Sequence, residues 1–241
     1  AEILGRASTG DFTPAFAALQ RWSEGAPDPL AQKTRDDLFG MLARVPDSDL
    51  FLIAYFEHRS LVQDPPLPGR TQIVLANRLS ESGFWQAAQE LMSADSRQTS
   101  DGHLAMARAA LAARDPAAAI SHLLGVPGEA ASRLRGEALS ILGKHDVAQA
   151  EFADIGDATE TVAEAWRSGN WSVVARDGTE LQKEFVSRFA LPQESVALAA
   201  PNGAATAGPI GSAKALLEQS AADRKIYEDF MANQQTTGSN P

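Results

Sequence analysis

The chain has 241 residues, a formal net charge of -10, 44% hydrophobic and 22% charged residues, and no cysteine. That is the composition of an ordinary globular chain, long enough for one large domain or two small ones. The missing cysteines exclude disulfides, thiolate metal sites and a cysteine nucleophile, and the acidic balance without any Lys/Arg-rich run argues against a nucleic-acid partner.

The absence of cysteine leans slightly toward a periplasmic or other oxidising compartment, and is also common in cytosolic chains. Only two tyrosines are present, threonine is sparse and alanine abundant. This favours helix over sheet, because alanine loses no side-chain entropy in a helix. The longest apolar run, residues 50–56, is far short of the roughly 18 residues that cross a bilayer, so no direct membrane insertion is expected. The chain begins at Ala1 without methionine and shows no leader peptide. It reads as a processed product or an excised piece.

In chain order, Glu2–Arg6 is too short for a full partner helix, and a helix beginning near Thr13-Pro14 follows it, proline being tolerated in the first turn. This start reads as the second half of a hairpin whose array was truncated or once continued upstream. Residues 24–29 are a loop, 31–45 a helix, and Pro46-Asp47-Ser48 carries turn and cap chemistry. The run LFLIAYF over 50–56 continues a helical period to about Leu61. DPPLPGR over 64–70 is a clear break. Four helix–turn–helix units come next. They cover 71–82 and 84–93, 102–113 and 117–124, 129–142 and 146–154, and 159–168 with a helix from Trp171. Their turns fall at Gly83, Arg114, Gly143 and Gly169, and an earlier one at Gly10. Successive turn intervals of 31, 29 and 26 residues suggest stacked helical hairpins, each burying its apolar face against its neighbours. Residues 180–191 close the stack with one more helix. The uncharged stretch VALAAPNGAATAGPIG is a linker by composition.

The organisation is therefore N-terminal helical hairpins in 1–63, helical repeats in 70–192, an Ala/Gly/Pro linker in 193–212, a C-terminal amphipathic helix in 213–233, and a disordered tail in 234–241.

Small residues recur where two helices of a hairpin must approach: Ala76, Ala107, Gly136 and Val162 before the turns, and Ala15, Ala88, Ala119, Ala148 and Val174 after them. Larger apolar groups follow at Leu19, Met92, Leu123 and Phe152, and Leu79 and Leu139 fill a further packing position. This pattern resembles the tetratricopeptide repeat. The match is best over Leu75–Met92, with Leu75-Ala76, Leu79, Gly83, Trp85, Ala88 and Met92 in the family's order. Arg135–Phe152 comes next, with Gly136, Leu139, Gly143, Ala148 and Phe152. Arg114 and Val174 depart from the pattern, and the periods fall short of the family's 34 residues. The resemblance implies an all-α fold, a right-handed superhelix of stacked hairpins forming a TPR-like α-solenoid.

It also implies a concave groove lined by the first helix of each hairpin. Its inner positions are Ile73, Asn77 and Ser80; Leu104, Arg108 and Leu111; Arg133, Glu137 and Ser140; and Thr159, Ala163 and Trp166. The candidate partner-binding residues are Asn77, Ser80, Arg108, Arg133, Glu137, Ser140 and Trp166. Such a set suits an extended or helical peptide with an acidic group, since arginine can hold a carboxylate bidentately. The C-terminal helix carries Leu216, Leu217, Ile226, Tyr227, Phe230 and Met231, too many apolar groups for a free helix. Leu216, Leu217, Tyr227 and Phe230 are its candidate docking residues, whether it caps the stack or binds a partner.

No signature of catalysis stands out. The four histidines, at 58, 103, 122 and 145, lack the spacing of a helical metal pair and read as surface or packing residues. Gly203–Gly208 has half the spacing of a phosphate loop, but Pro209-Ile210 stands where that motif needs Lys and Ser/Thr. No Gly-x-Ser-x-Gly elbow occurs. Glu81-Ser82 and Glu194-Ser195 have no domain around them to serve a lytic enzyme. The expectation is a non-catalytic scaffold or adaptor for a protein or peptide, without cofactor or metal. The alternatives are a structural subunit docked through its C-terminal helix, and the helical accessory region of an enzyme whose catalytic domain lies outside this chain.

Overall fold

The computed structural model describes residues 2–23, 29–63, 65–190, 220–222 and 224–228. The linker and tail read over 193–212 and 234–241 lie outside them. All regular structure among the described residues is helical. The chain divides into two compact units, 1–143 and 144–241.

The first unit contains α1 (Glu2–Ser8), α2 (Phe12–Ser23), α3 (Pro29–Leu42), α4 (Ser48–Glu57), α5 (Ser60–Gln63), α6 (Gly69–Glu81), α7 (Trp85–Leu91), α8 (Ala94–Arg97), α9 (Ser100–Ala112), α10 (Pro116–His122) and α11 (Glu129–Ile141). The second contains α12 (His145–Asp154), α13 (Ala158–Ser168), α14 (Trp171–Asp177) and α15 (Glu180–Phe185), which runs into a π-helical turn, Val186–Ala190. Residues 220–222 and 224–228 are also helical.

Local chemistry sets several helix starts. Asp47 accepts from the Asp49 and Leu50 amides at 2.9 and 3.1 Å and opens α4. Thr99, Asp115 and Asp157 do the same for α9, α10 and α13, and Pro116 takes the first helical position, where its missing N–H costs nothing. Each such cap satisfies an amide that the helix itself leaves without a partner.

Several helix ends share one geometry. At Gly83 the backbone is left-handed, with φ of 84°. The Gly83 amide donates to the Ser80 carbonyl at 3.0 Å, and the Phe84 amide donates to the Leu79 carbonyl at 2.8 Å. These paired bonds form a Schellman cap. They recur at Arg114, where the Arg114 and Asp115 amides reach the Leu111 and Ala110 carbonyls, both at 2.9 Å. Arg114 has φ of 59°, so a side chain stands where glycine is usual. A turn of the same type, unmarked in the sequence reading, joins α12 to α13 at Gly156.

The small-residue positions are buried. Ala15, Ala76, Ala88, Ala107, Ala119, Ala148 and Val174 are all at most 1% exposed. Leu79, Leu19, Met92, Leu123 and Phe152 are buried with them, while Leu139 is half-buried. Within the first unit α6 packs on α3, α7 and α9, and α9 on α7, α10 and α11. The main core joins Phe16, Phe39, Leu42, Phe51, Tyr55 and Leu75, and a second cluster around Ala107, Leu123, Ala131 and Leu134 ties α9, α10 and α11. In the second unit α13 packs on α12 and α14, around Ala165, Val173, Val174 and Val186, with Trp166 and Trp171 alongside.

Several boundaries differ from expectation: the helical period read to about Leu61 breaks after Glu57 and restarts as α5 at Ser60, and the helix read over 31–45 ends at Leu42. The helix expected to run through Ser93 stops at Leu91, and Ser93 instead caps the short α8, accepting from the Ser96 amide. A buried network stabilises this break: Gln72 accepts from the Ser93 amide and the Ser96 hydroxyl, both at 2.8 Å, and donates to the Leu67 carbonyl at 2.7 Å. The break expected over 64–70 is shorter, because Gly69 and Arg70 already belong to α6.

Candidate functional site

The face shared by α6, α9 and α11 carries an open furrow made of two adjoining depressions. Arg70, Ile73, Val74 and Asn77 of α6 and Asp101, Leu104 and Arg108 of α9 line the first, of about 670 Å3. Ser80 and Glu81 at the end of α6, Arg108 and Leu111 of α9, and Glu129, Arg133, Leu134 and Glu137 of α11 line the second, of about 640 Å3.

Arg108 belongs to both depressions. It is half-buried, and its Nη1 donates to Asn77 Oδ1 on the neighbouring helix at 3.1 Å. The Asn77 amide thus fixes one arm of the guanidinium, and a planar guanidinium has further N–H donors in a rigid fork. Arg133 pairs with Glu129 one turn earlier at 3.4 Å. Exposed pairs of this kind hold weakly. The charges are mixed, with Arg70, Arg108 and Arg133 set among Glu81, Asp101, Glu129 and Glu137, and Ile73, Leu104, Leu111 and Leu134 supply apolar floor.

Five of the seven sequence-selected residues, Asn77, Ser80, Arg108, Arg133 and Glu137, therefore line one furrow. Ser80 differs from expectation in its exposure. It is buried, and its hydroxyl donates to the Ala76 carbonyl one turn back at 2.9 Å. Ser140 is half-buried and lines neither depression. Trp166 belongs to the second unit, where its ring meets Trp171 edge-on at 5.2 Å and Phe185 at 5.3 Å. Leu216, Leu217 and Phe230 lie outside the described residues, while Tyr227 is 54% exposed and its neighbour Ile226 is buried.

Arg70 went unselected because the segment before it reads as a break. The useful signal was Pro68-Gly69, a helix opening that places Arg70 on the first turn of α6. Glu164 was missed as well. It is 1% exposed and accepts from the Arg167 guanidinium on its own helix and bonds His145 Nδ1 on α12 at 2.7 Å. This arrangement ties α12 to α13. Among the described residues no three His, Asp or Glu side chains converge to hold a metal ion, and no helix is long and apolar enough to cross a membrane.

No protein-family model, no curated protein and no solved structure matches this chain.

Proposed function

We propose that this protein is a non-catalytic interaction scaffold, a TPR-like stack of helical hairpins winding as a right-handed superhelix, which holds a peptide or a segment of a partner protein in the furrow over α6, α9 and α11. One observation carries the reading: Arg108, half-buried and held by Asn77, stands where the two depressions join. A fixed guanidinium flanked by apolar floor suits an extended or helical segment that presents a carboxylate between apolar side chains. The surrounding carboxylates favour a segment with a single acid over a polyacidic one, because like charges in register repel.

The test is affinity capture followed by mass spectrometry, with the double variant Arg108→Glu/Arg133→Glu beside a chain lacking residues 213–232. Loss of the captured partner in the double variant and its retention in the truncated chain support the furrow. The opposite pattern assigns docking to the C-terminal helix and overturns this reading.

A further inference from the structure

A second cavity in the first unit, of about 240 Å3, lies between the α4–α5 segment and α7, and it shares no lining residue with the furrow. Three observations set it apart. Tyr55 lines it and is only 2% exposed, yet its hydroxyl has no hydrogen-bond partner among the described residues. The hydroxyl oxygen itself is not fully buried, so it stands open to the cavity as a donor. Burial holds this phenol above its ordinary value, against the pull of Arg59, so the group stays a neutral donor. Gln72, also buried there, has its side-chain amide engaged by Leu67, Ser93 and Ser96, which leaves the Tyr55 hydroxyl unanswered.

Arg59 and Glu90 also line the cavity, paired with one another and both about half exposed. One cation and one anion thus stand together at a pocket whose walls include Val62, Leu91 and Met92, all buried. An anionic ligand would meet repulsion from Glu90, and a cationic one from Arg59. A zwitterion answers both. The exposed Arg59–Glu90 pair is of the kind that holds weakly, so a ligand separates it at little cost. The volume equals roughly eight liquid waters, which points to a ligand of the order of ten non-hydrogen atoms, at the small end of ligand pockets.

We infer that this cavity binds a free α-amino acid with an apolar side chain the size of leucine, methionine or phenylalanine. Arg59 and the Tyr55 hydroxyl take the carboxylate, Glu90 takes the ammonium, and the side chain packs against Val62, Leu91 and Met92. The site is independent of the furrow and of what the furrow holds.

Ligand-observed NMR on the full chain tests this with L-leucine, L-methionine and L-phenylalanine, together with 4-methylpentanoate, which lacks the amine, and 3-methylbutylamine, which lacks the carboxylate. The expected result is saturable binding of at least one amino acid at about millimolar concentration, with both analogues weaker by about tenfold or more. Tyr55→Phe is expected to keep the fold, because the lost hydroxyl has no partner among the described residues, and to weaken the amino acid about fivefold. Arg59→Gln and Glu90→Gln are expected to abolish binding. No signal from any of the three amino acids at about 10 mM overturns the inference and leaves the cavity to water. Equal binding of the analogues also overturns it, since the pocket would then read only apolar shape.

Discussion

Gly102 on α9 lies against the Ser96 carbonyl at the end of α8, so closely that a Cβ at residue 102 would stand 1.9 Å from that oxygen and 3.0 Å from the Arg97 α-carbon. The obstacle is backbone, which a rotamer change does not relieve. This close approach lets Thr99 cap α9 while Ser96 reaches Gln72. Gly102→Ala, normally a gain inside a helix, is therefore expected to destabilise the first unit by about 3 kcal/mol. Denaturant unfolding followed by circular dichroism measures this, and an unchanged or raised midpoint would contradict the packing described.

Arg114 makes the opposite case. It is exposed and left-handed in a turn whose sister position is Gly83. A side chain in that region costs about 1–2 kcal/mol, and the extra freedom of unfolded glycine returns about 0.5–1 kcal/mol of that. Arg114→Gly is expected to raise stability by about 0.5–1 kcal/mol, and Gly83→Ala to lower it by about 1 kcal/mol. A thermal melt that ranks the two variants the other way would sink the argument.

His58 gives a pH dependence. It is 8% exposed, stacks on Phe16 with ring centres 4.5 Å apart, and neither ring nitrogen has a partner among the described residues. Burial lowers its pKa, opposed by the Glu57 carboxylate, whose Oε2 is 4.0 Å from the ring. Between the lowered folded value and the unfolded value near 6.5, the unfolded chain binds more protons. Stability is therefore full above about pH 6.5 and falls as pH drops toward the folded value. His58→Phe keeps the stack and removes both unanswered nitrogens. It is expected to flatten this part of the stability–pH curve and to exceed the natural chain at pH of about 5. Parallel curves for the two proteins would rule out His58 as the source.

In the second unit the prediction concerns Glu164. Its carboxylate is buried, while its partners His145 and Arg167 have side chains 27% and 50% exposed. Glu164→Ala leaves two cationic or polar groups without an acceptor and a gap between α12 and α13. A loss of about 2–4 kcal/mol is expected, and His145→Ala, at a wetter position, about 1 kcal/mol. Hydrogen exchange in α12 and α13 reads this directly. Equal protection in both variants would show that the carboxylate does not hold the pair together.

Much of the secondary structure was legible because its causes are local. Asp47 and Asp115 announce helix starts by side-chain bonds to amides two or three residues on, and Thr99 and Asp157 carry the same signal for helices that start one or two residues earlier than the periodicity places them. Gly83 and Gly169 announce ends because a left-handed residue completes the cap. The small residues at 76, 88, 107 and 119 could be selected for burial for a related reason, since their spacing from each turn places them at the helix–helix contact. The sequence by itself therefore determined the all-α class, the longer helices and the small residues buried between them. What only the tertiary structure decided depends on residues far apart in the chain: Gln72 stopping a helix at Leu91 through Ser93 and Ser96, the close approach of Gly102, Ser80 turned inward, Asn77 holding Arg108 across the furrow, and Tyr55 left facing a cavity beside Arg59 and Glu90. Hydrogen bonds and contacts between separate helices have no fixed spacing in the sequence, so packing alone selects their partners.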